Sequence, residues 1–207
     1  MRSAHPIEAE SYRRLRAAVD LSGLPPLSRA VAERVIHASA DLEYARDLVL
    51  DEGALRQGRH ALQAGAPVVA DTRMAAAGLV GLPVRCGLAA ATPSSGWGDS
   101  LGSPLGLRPP ASGESRSAAG IRRAAAQAGP GAVYVIGCAP TALMALLDLD
   151  GAEPALVIGL PVGFVGAVEA KQALREAGLP ACTNRGPKGG SAVAVAALNA
   201  LRYWEEQ

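Results

Sequence analysis

From residue 67 onward the chain alternates between short apolar runs and stretches of helical period, and no other feature limits its fold as much. The apolar runs are Pro67-Val-Val-Ala-Asp71, Pro83-Val-Arg-Cys-Gly-Leu88 and residues 132–137, 155–160 and 180–184. Residues 72–79, 116–128, 140–149, 166–177 and 190–202 between and after them read as helices. Strands that alternate with helices imply a parallel sheet, because each strand needs a long crossover to return in the same direction. The prediction is therefore an α/β fold, a three-layer α/β/α sandwich with a mainly parallel sheet covered on both faces.

Ahead of the core the sequence reads as helical. Residues 7–20 place Ile7, Leu15 and Val19 on one side, Leu21 to Pro26 forms a break, and Ser28 is positioned to cap a second helix. A third helix runs from Glu52 to Ala64 and ends at Gly65. A single domain over 1–207 is expected, with a helical segment at about 7–64 and an α/β core at about 66–202. No internal repeat or second domain is evident.

Composition removes several function classes. Hydrophobic residues are 49% and charged residues 19%, as in ordinary globular proteins. Aromatics are 3%, too few for a stacking surface on single-stranded nucleic acid. A net charge of +1 gives no strong field toward nucleic acid or membrane, so neither is an expected partner. Only Lys171 and Lys188 are lysines; the other basic residues are arginines. A GC-rich genome would produce this, and so would a need to grip carboxylates bidentately. Cys86, Cys138 and Cys182 are odd in number and widely spaced, which suits buried, reduced thiols in the cytoplasm, with no disulfide frame or zinc site. Neither a signal-peptide h-region nor an apolar run of membrane-spanning length is evident.

In parallel α/β sheets ligands gather at the carboxyl ends of the strands. Here that edge would carry Asp71, residues 91–117, Gly137 to Thr141, Gly159 to Gly166 and Arg185 to Ser191. The 159–166 and 185–191 turns are glycine-rich and each opens a helix, a geometry that presents backbone N–H groups to anions. Neither is a G-x-G-x-x-G or Walker A motif. Residues 91–113, rich in Gly, Ser and Pro, read either as a functional loop or as an insertion. Arg116 and Ser117 could grip an anion or merely begin a helix, and Lys188 could reach an anion or decorate its turn. His37 closes a helix, where the dipole favours the imidazolium. It is either a proton donor or a structural cap. His5 and His60 carry no comparable context. No nucleophile elbow, Cys–His pair or metal-ligand spacing is present. Read from the residues alone, the chain is an α/β protein that binds a small anionic ligand at its strand ends.

A series of short motifs in order along nearly the whole chain resembles the precorrin-8X methylmutase family, including its cobalt-precorrin counterpart. They are His5-Pro-Ile with Ser11-Tyr12, Val35-Ile36-His37-Ala38, Ala64-Gly-Ala-Pro67 with Asp71 and Met74, Arg116-Ser-Ala-Ala119, Ile136-Gly137 and Ala139-Pro-Thr-Ala-Leu143. The series continues with Gly159-Leu-Pro-Val-Gly-Phe-Val-Gly166, Glu169 and Lys171, Arg185-Gly, Gly189-Gly-Ser-Ala192 and Ala197-Leu-Asn199. The resemblance implies a flavodoxin-like fold, a homodimer, and an isomerase of cobalamin biosynthesis. That enzyme moves a methyl group from C11 to C12 of a tetrapyrrole without a cofactor or metal of its own. It implies His37 as catalytic acid, with Ser11 and Arg116 as substrate contacts. Ser117, Thr141, Gly163, Gly166, Arg185, Gly189 and Gly190 complete the expected contact set. Two positions depart from the family: Cys138 and Glu114 stand where amide side chains are common. A corrinoid-binding protein without turnover and a nucleotide- or phosphate-binding α/β protein are the alternatives.

Overall fold

The computed structural model describes residues 5–88 and 114–205. The 91–113 segment read as a loop lies outside the described residues. Helices α1 (Pro6–Ala18), α2 (Pro26–Ser39) and α3 (Tyr44–Asp47) come first, followed by strand β1 (Leu48–Leu50) and helix α4 (Glu52–Gln63). The core follows as β2 (Val68–Ala70), α5 (Arg73–Gly78), β3 (Val84–Cys86), α6 (Arg116–Ala128), β4 (Val133–Ile136), α7 (Pro140–Leu147), β5 (Leu156–Gly159), α8 (Ala167–Glu176), β6 (Ala181–Asn184) and α9 (Ser191–Arg202).

The six strands form one sheet in the order β1-β6-β5-β4-β2-β3. Strands β2 to β6 are parallel, and β1 alone runs antiparallel, pairing Leu48 with Asn184 and Leu50 with Cys182. Counted among themselves, the five parallel strands have the 2-1-3-4-5 order of flavodoxin-like folds. The chain reverses its direction of travel between β2 and β4, so the crevice at their carboxyl ends is the topological switch point.

Two cores explain why the strands are apolar on both sides. Val68, Val133, Val135, Leu156, Ile158 and Cys182 face α1, α2, α4 and α9. Val69, Tyr134, Ile136 and Val157 face α6, α7 and α8. Successive side chains point to opposite faces, so an uninterrupted Val/Ile/Leu run is what a doubly covered strand requires.

The N-terminal helices hold two corrections to the sequence reading. Ser28 does not cap α2. The helix begins at Pro26, and a proline there lacks the N–H that would need a partner. The next amides are capped from a distance: Glu52 accepts from Leu27 N at 3.2 Å and from Ser28 N at 2.9 Å, while Ser28 Oγ donates to it at 2.8 Å. A carboxylate at a helix N-terminus also meets the positive end of the dipole. The second correction is β1, together with the short α3. The strand is three residues long and has no alternation of its own; it exists because the edge of β6 offers unpaired backbone groups.

Candidate active site

His37 sits in the last turn of α2 and is half-buried. Its Nδ1 is 2.9 Å from Ser11 Oγ, and its ring stacks on Tyr12 with centroids 4.7 Å apart and planes 11° from parallel. Both partners come from α1, whose adjacent residues hold the imidazole by an edge and a face. Burial raises the pKa of the Tyr12 phenol, with the Arg34 charge opposing the shift, so the stacked ring stays neutral at physiological pH. With Nδ1 engaged, Nε2 is the nitrogen left for a ligand.

The imidazole lines a cavity of about 390 Å³ between α2, α5 and α9. Its walls are mostly apolar, from Ala38, Met74, Ala192 and Val195, with Arg34, Ser191 and Asn199 as the other polar groups. Met74 is 73% exposed, a large apolar side chain standing open at the rim. The cavity runs along α9 from Ser191, its first residue at the carboxyl edge of the sheet, to Asn199 two turns further on.

On the other side of that edge, Ser115 caps α6 by accepting from Ala118 N at 3.1 Å, and its hydroxyl lies 2.6 Å from Thr141 Oγ1. This bond joins the first turns of α6 and α7 beside the switch point. Arg116 is exposed there, Ser117 is half-buried and Thr141 is exposed. Glu114, a departure from the family pattern, pairs with Arg122 at 2.9 Å, which offsets its charge.

Asp71 also lies at the switch point but turns inward. It is 1% exposed, and Oδ2 accepts from Cys138 N at 2.7 Å and Ala139 N at 3.0 Å. It therefore builds the β4–α7 turn. Cys138 is exposed, contrary to the expectation of three buried thiols, since its turn projects from the sheet edge. Burial, then the nearby Asp71 charge, raises its pKa and keeps it a thiol.

The glycine-rich turns differ from the anion cradle expected of them. Gly163 N donates to Pro187 O at 3.1 Å and Gly190 N to Leu160 O at 2.9 Å, so these amides join the two turns to each other. Gly189 has no room for a side chain, because a Cβ would press on the Leu160 and Pro161 carbonyls. Lys171 lies fully buried beneath them and donates to Asn184 Oδ1 at 3.0 Å and Lys188 O at 2.7 Å. Burial, then the Arg175 charge, pulls its pKa down to about 8. Lys188 is paired with Asp41 at 2.6 Å and with Glu43, and these bonds raise its pKa. Arg185 is exposed, and its backbone N donates to Asp47 O at 2.8 Å.

The structure thus defines a doubly wound α/β protein with an oriented histidine in a mostly apolar cavity between α2, α5 and α9. The family model for precorrin-8X methylmutase matches residues 6–204. A cobalt-precorrin-8 methylmutase of Methanothermobacter thermautotrophicus is 40% identical, with 88% of this chain and 83% of that protein covered. A precorrin-8X methylmutase of Pseudomonas aeruginosa is 38% identical, over 97% and 96% of the two chains. The solved structure of the Thermus thermophilus precorrin-8X methylmutase superposes with a TM-score of 0.78 at 38% identity, covering 95% of this chain and 96% of that one. The chain belongs to the precorrin-8X methylmutase family, and is by that membership an isomerase of cobalamin biosynthesis. Among the described residues no helix is long and apolar enough to cross a membrane.

Proposed function

We propose that this chain catalyses the C11-to-C12 methyl migration of precorrin-8X or its cobalt form, giving hydrogenobyrinic or cobyrinic acid, with His37 as the acid. The observation that carries the reading is the imidazole itself, fixed by Ser11 and Tyr12 with Nε2 left for the cavity. The migration is a [1,5]-sigmatropic shift: the C11–methyl bond breaks as the C12–methyl bond forms, and no electrons leave the ring system. The protein's tasks are then to seat a flat polycarboxylate, exclude water and bias the ring electronically. A proton or hydrogen bond from Nε2 to a ring nitrogen makes the conjugated system a better acceptor for the methyl group. The cavity is smaller than a tetrapyrrole and open, so it receives one edge of the macrocycle while the rest lies over the strand ends. Arg116 holds a peripheral carboxylate there, and Ser117, Thr141, Gly166 and Arg185 complete the contact set. Relatives of both names match at similar identity, so the proposal covers the ring with or without cobalt.

The alternative of a phosphate ligand at residues 186–191 loses its support. Lys188 already has two carboxylates, and Gly190 N bonds within the protein. The homodimer implied by the resemblance is part of the proposal. Phe164, the single phenylalanine of the chain, is 99% exposed and Val165 beside it 88%, an apolar tip suited to burial against a second copy. Sedimentation at a single-chain mass would reject the dimer.

The test of the reaction is an absorbance titration with hydrogenobyrinic acid, followed by turnover of the methylmutase substrate. Wild type should bind the product with a spectral shift. His37→Ala should bind it similarly while losing roughly two to four orders of magnitude in rate, the usual range for a positioned acid. Undiminished turnover in His37→Ala would sink the acid role.

A further inference from the structure

We propose that Arg16 and Glu33 are positioning residues for His37: their two-bond fork fixes how α1 lies on α2, and so keeps Ser11 and Tyr12 on the imidazole. The tie to catalysis rests on the function proposed above; the placement of the ring does not. Tyr12 and Arg16 on α1, and Glu33 and His37 on α2, stand four residues apart, so each pair shares one face of its helix. The two faces meet in two rungs. Tyr12 stacks on His37, with Ser11 at the edge of the imidazole. One turn away, Arg16 Nε donates to Glu33 Oε1 at 2.8 Å and Nη2 donates to Oε2 at 2.7 Å. The rungs also touch, since the Arg16 guanidinium carbon lies 5.7 Å from the centroid of the Tyr12 ring.

The remaining contacts of α1 give it little direction. Among its described residues Leu15 alone is buried, and Ile7 is 75% exposed. Apolar contact is non-directional, so one buried leucine lets a helix roll and tilt on its partner. Parallel N–H···O bonds between a guanidinium and a carboxylate are directional and oppose that motion. The other ion pairs of α1 do not reach α2: Arg13 and Arg14 both bind Glu10 on their own helix, at 2.7 and 2.8 Å.

Ion pairs between exposed side chains contribute little as a rule, but Glu33 is only 8% exposed and the fork engages both of its carboxylate oxygens. A buried ionic pair often stabilises no more than an apolar pair would, and its best-attested use is to specify one alignment of two helices. A roll of α1 about Leu15 would turn Ser11 and Tyr12 away from His37, and the imidazole would lose its bond and its stack together.

The experiment follows the His37 ring protons by NMR. The stacked Tyr12 ring displaces their resonances from those of an exposed histidine such as His60, and the His37→Ala spectrum assigns them. Turnover of the methylmutase substrate is measured in parallel. The variants are Arg16→Met, Glu33→Ala, the double variant Arg16→Met with Glu33→Met, and Arg13→Gln as a control on the exposed side of α1. Arg16→Met and Glu33→Ala should lose the Tyr12-induced displacement, and turnover should fall roughly tenfold or more. Arg13→Gln should keep both. The double variant puts an apolar pair in place of the fork, so it should keep the thermal midpoint of wild type yet still lack the displacement and the rate. Recovery of displacement and rate along with the midpoint would show that the fork is adhesion only, and would overturn the proposal. An unaltered displacement in Arg16→Met, whose parent side chain is 63% exposed, would overturn it too, as would a lost displacement with undiminished turnover. A wild type without turnover removes the parent reading, and the ring protons then decide on their own whether the fork places the imidazole.

Discussion

The cavity between α2, α5 and α9 and the glycine-rich turns after β5 and β6 adjoin at the start of α9, yet they use their polar groups in opposite ways. In the turns, amides, carbonyls and both lysines of the chain satisfy one another: Gly163 with Pro187, Gly190 with Leu160, Lys171 with Asn184 and Lys188, and Lys188 with Asp41 and Glu43. In the cavity, an imidazole nitrogen, a guanidinium and an exposed methionine face open space. Polar groups that are already paired inside a protein gain little from a ligand, whereas groups left open in a partly apolar pocket gain the full interaction. Glycine richness therefore marked the internally bonded turns, and open polar groups mark the cavity.

The sharpest break of this contrast is the loss of turnover expected for His37→Ala on the cavity side. On the turn side the largest effect is on stability. Lys171 is charged in the unfolded chain up to its ordinary pKa of 10.5, but in the folded protein its pKa is about 8. Below pH 8 it is charged in both states and the burial penalty is present in full. Between pH 8 and 10.5 the unfolded chain binds the proton more, so stability should rise with pH across that window, by roughly 3 kcal/mol from this group. Urea unfolding of Lys171→Met at pH 7 to 10 should lack this rise; a variant that keeps it would show that Lys171 is not the titrating group. The smallest effect is expected for Ser11→Ala. Removing one hydrogen bond to Nδ1 should cost roughly 1 kcal/mol of transition-state stabilisation, about fivefold to tenfold in rate, with product affinity and thermal midpoint near wild type. An unchanged rate would show that Tyr12 alone orients the imidazole.

Much of the architecture was legible because each core strand is buried on both faces and each helix on one, so period and apolarity agree with the fold. Strands at 68–70, 133–136, 156–159 and 181–184, and the helices between them, fall where the sequence placed them. What the sequence did not show was tertiary in origin. Strand β1 is made by the partner edge of β6, and the cap of α2 is a carboxylate 24 residues away. The same division runs through the site. Ser11 and His37, 26 residues apart, came together only through family resemblance. Arg34 was passed over, although its three-residue spacing from His37 was available as a signal. Gly189 was read as an anion donor because a glycine that permits close packing looks the same in sequence as one that cradles a ligand.

Among the described residues helix α2 packs more extensively on α9 than any other pair of elements pack together, and β1 pairs with β6. During synthesis the segment bearing His37 emerges from the ribosome well before α9, the wall that makes it a site. Closing so long a loop is slow, so α2 lacks its main packing partner until α9 has been translated. A nascent chain interrupted before residue 191 would carry its histidine but no pocket to work in. Synthesis through α9 is thus built into the topology as a condition for the cavity to exist.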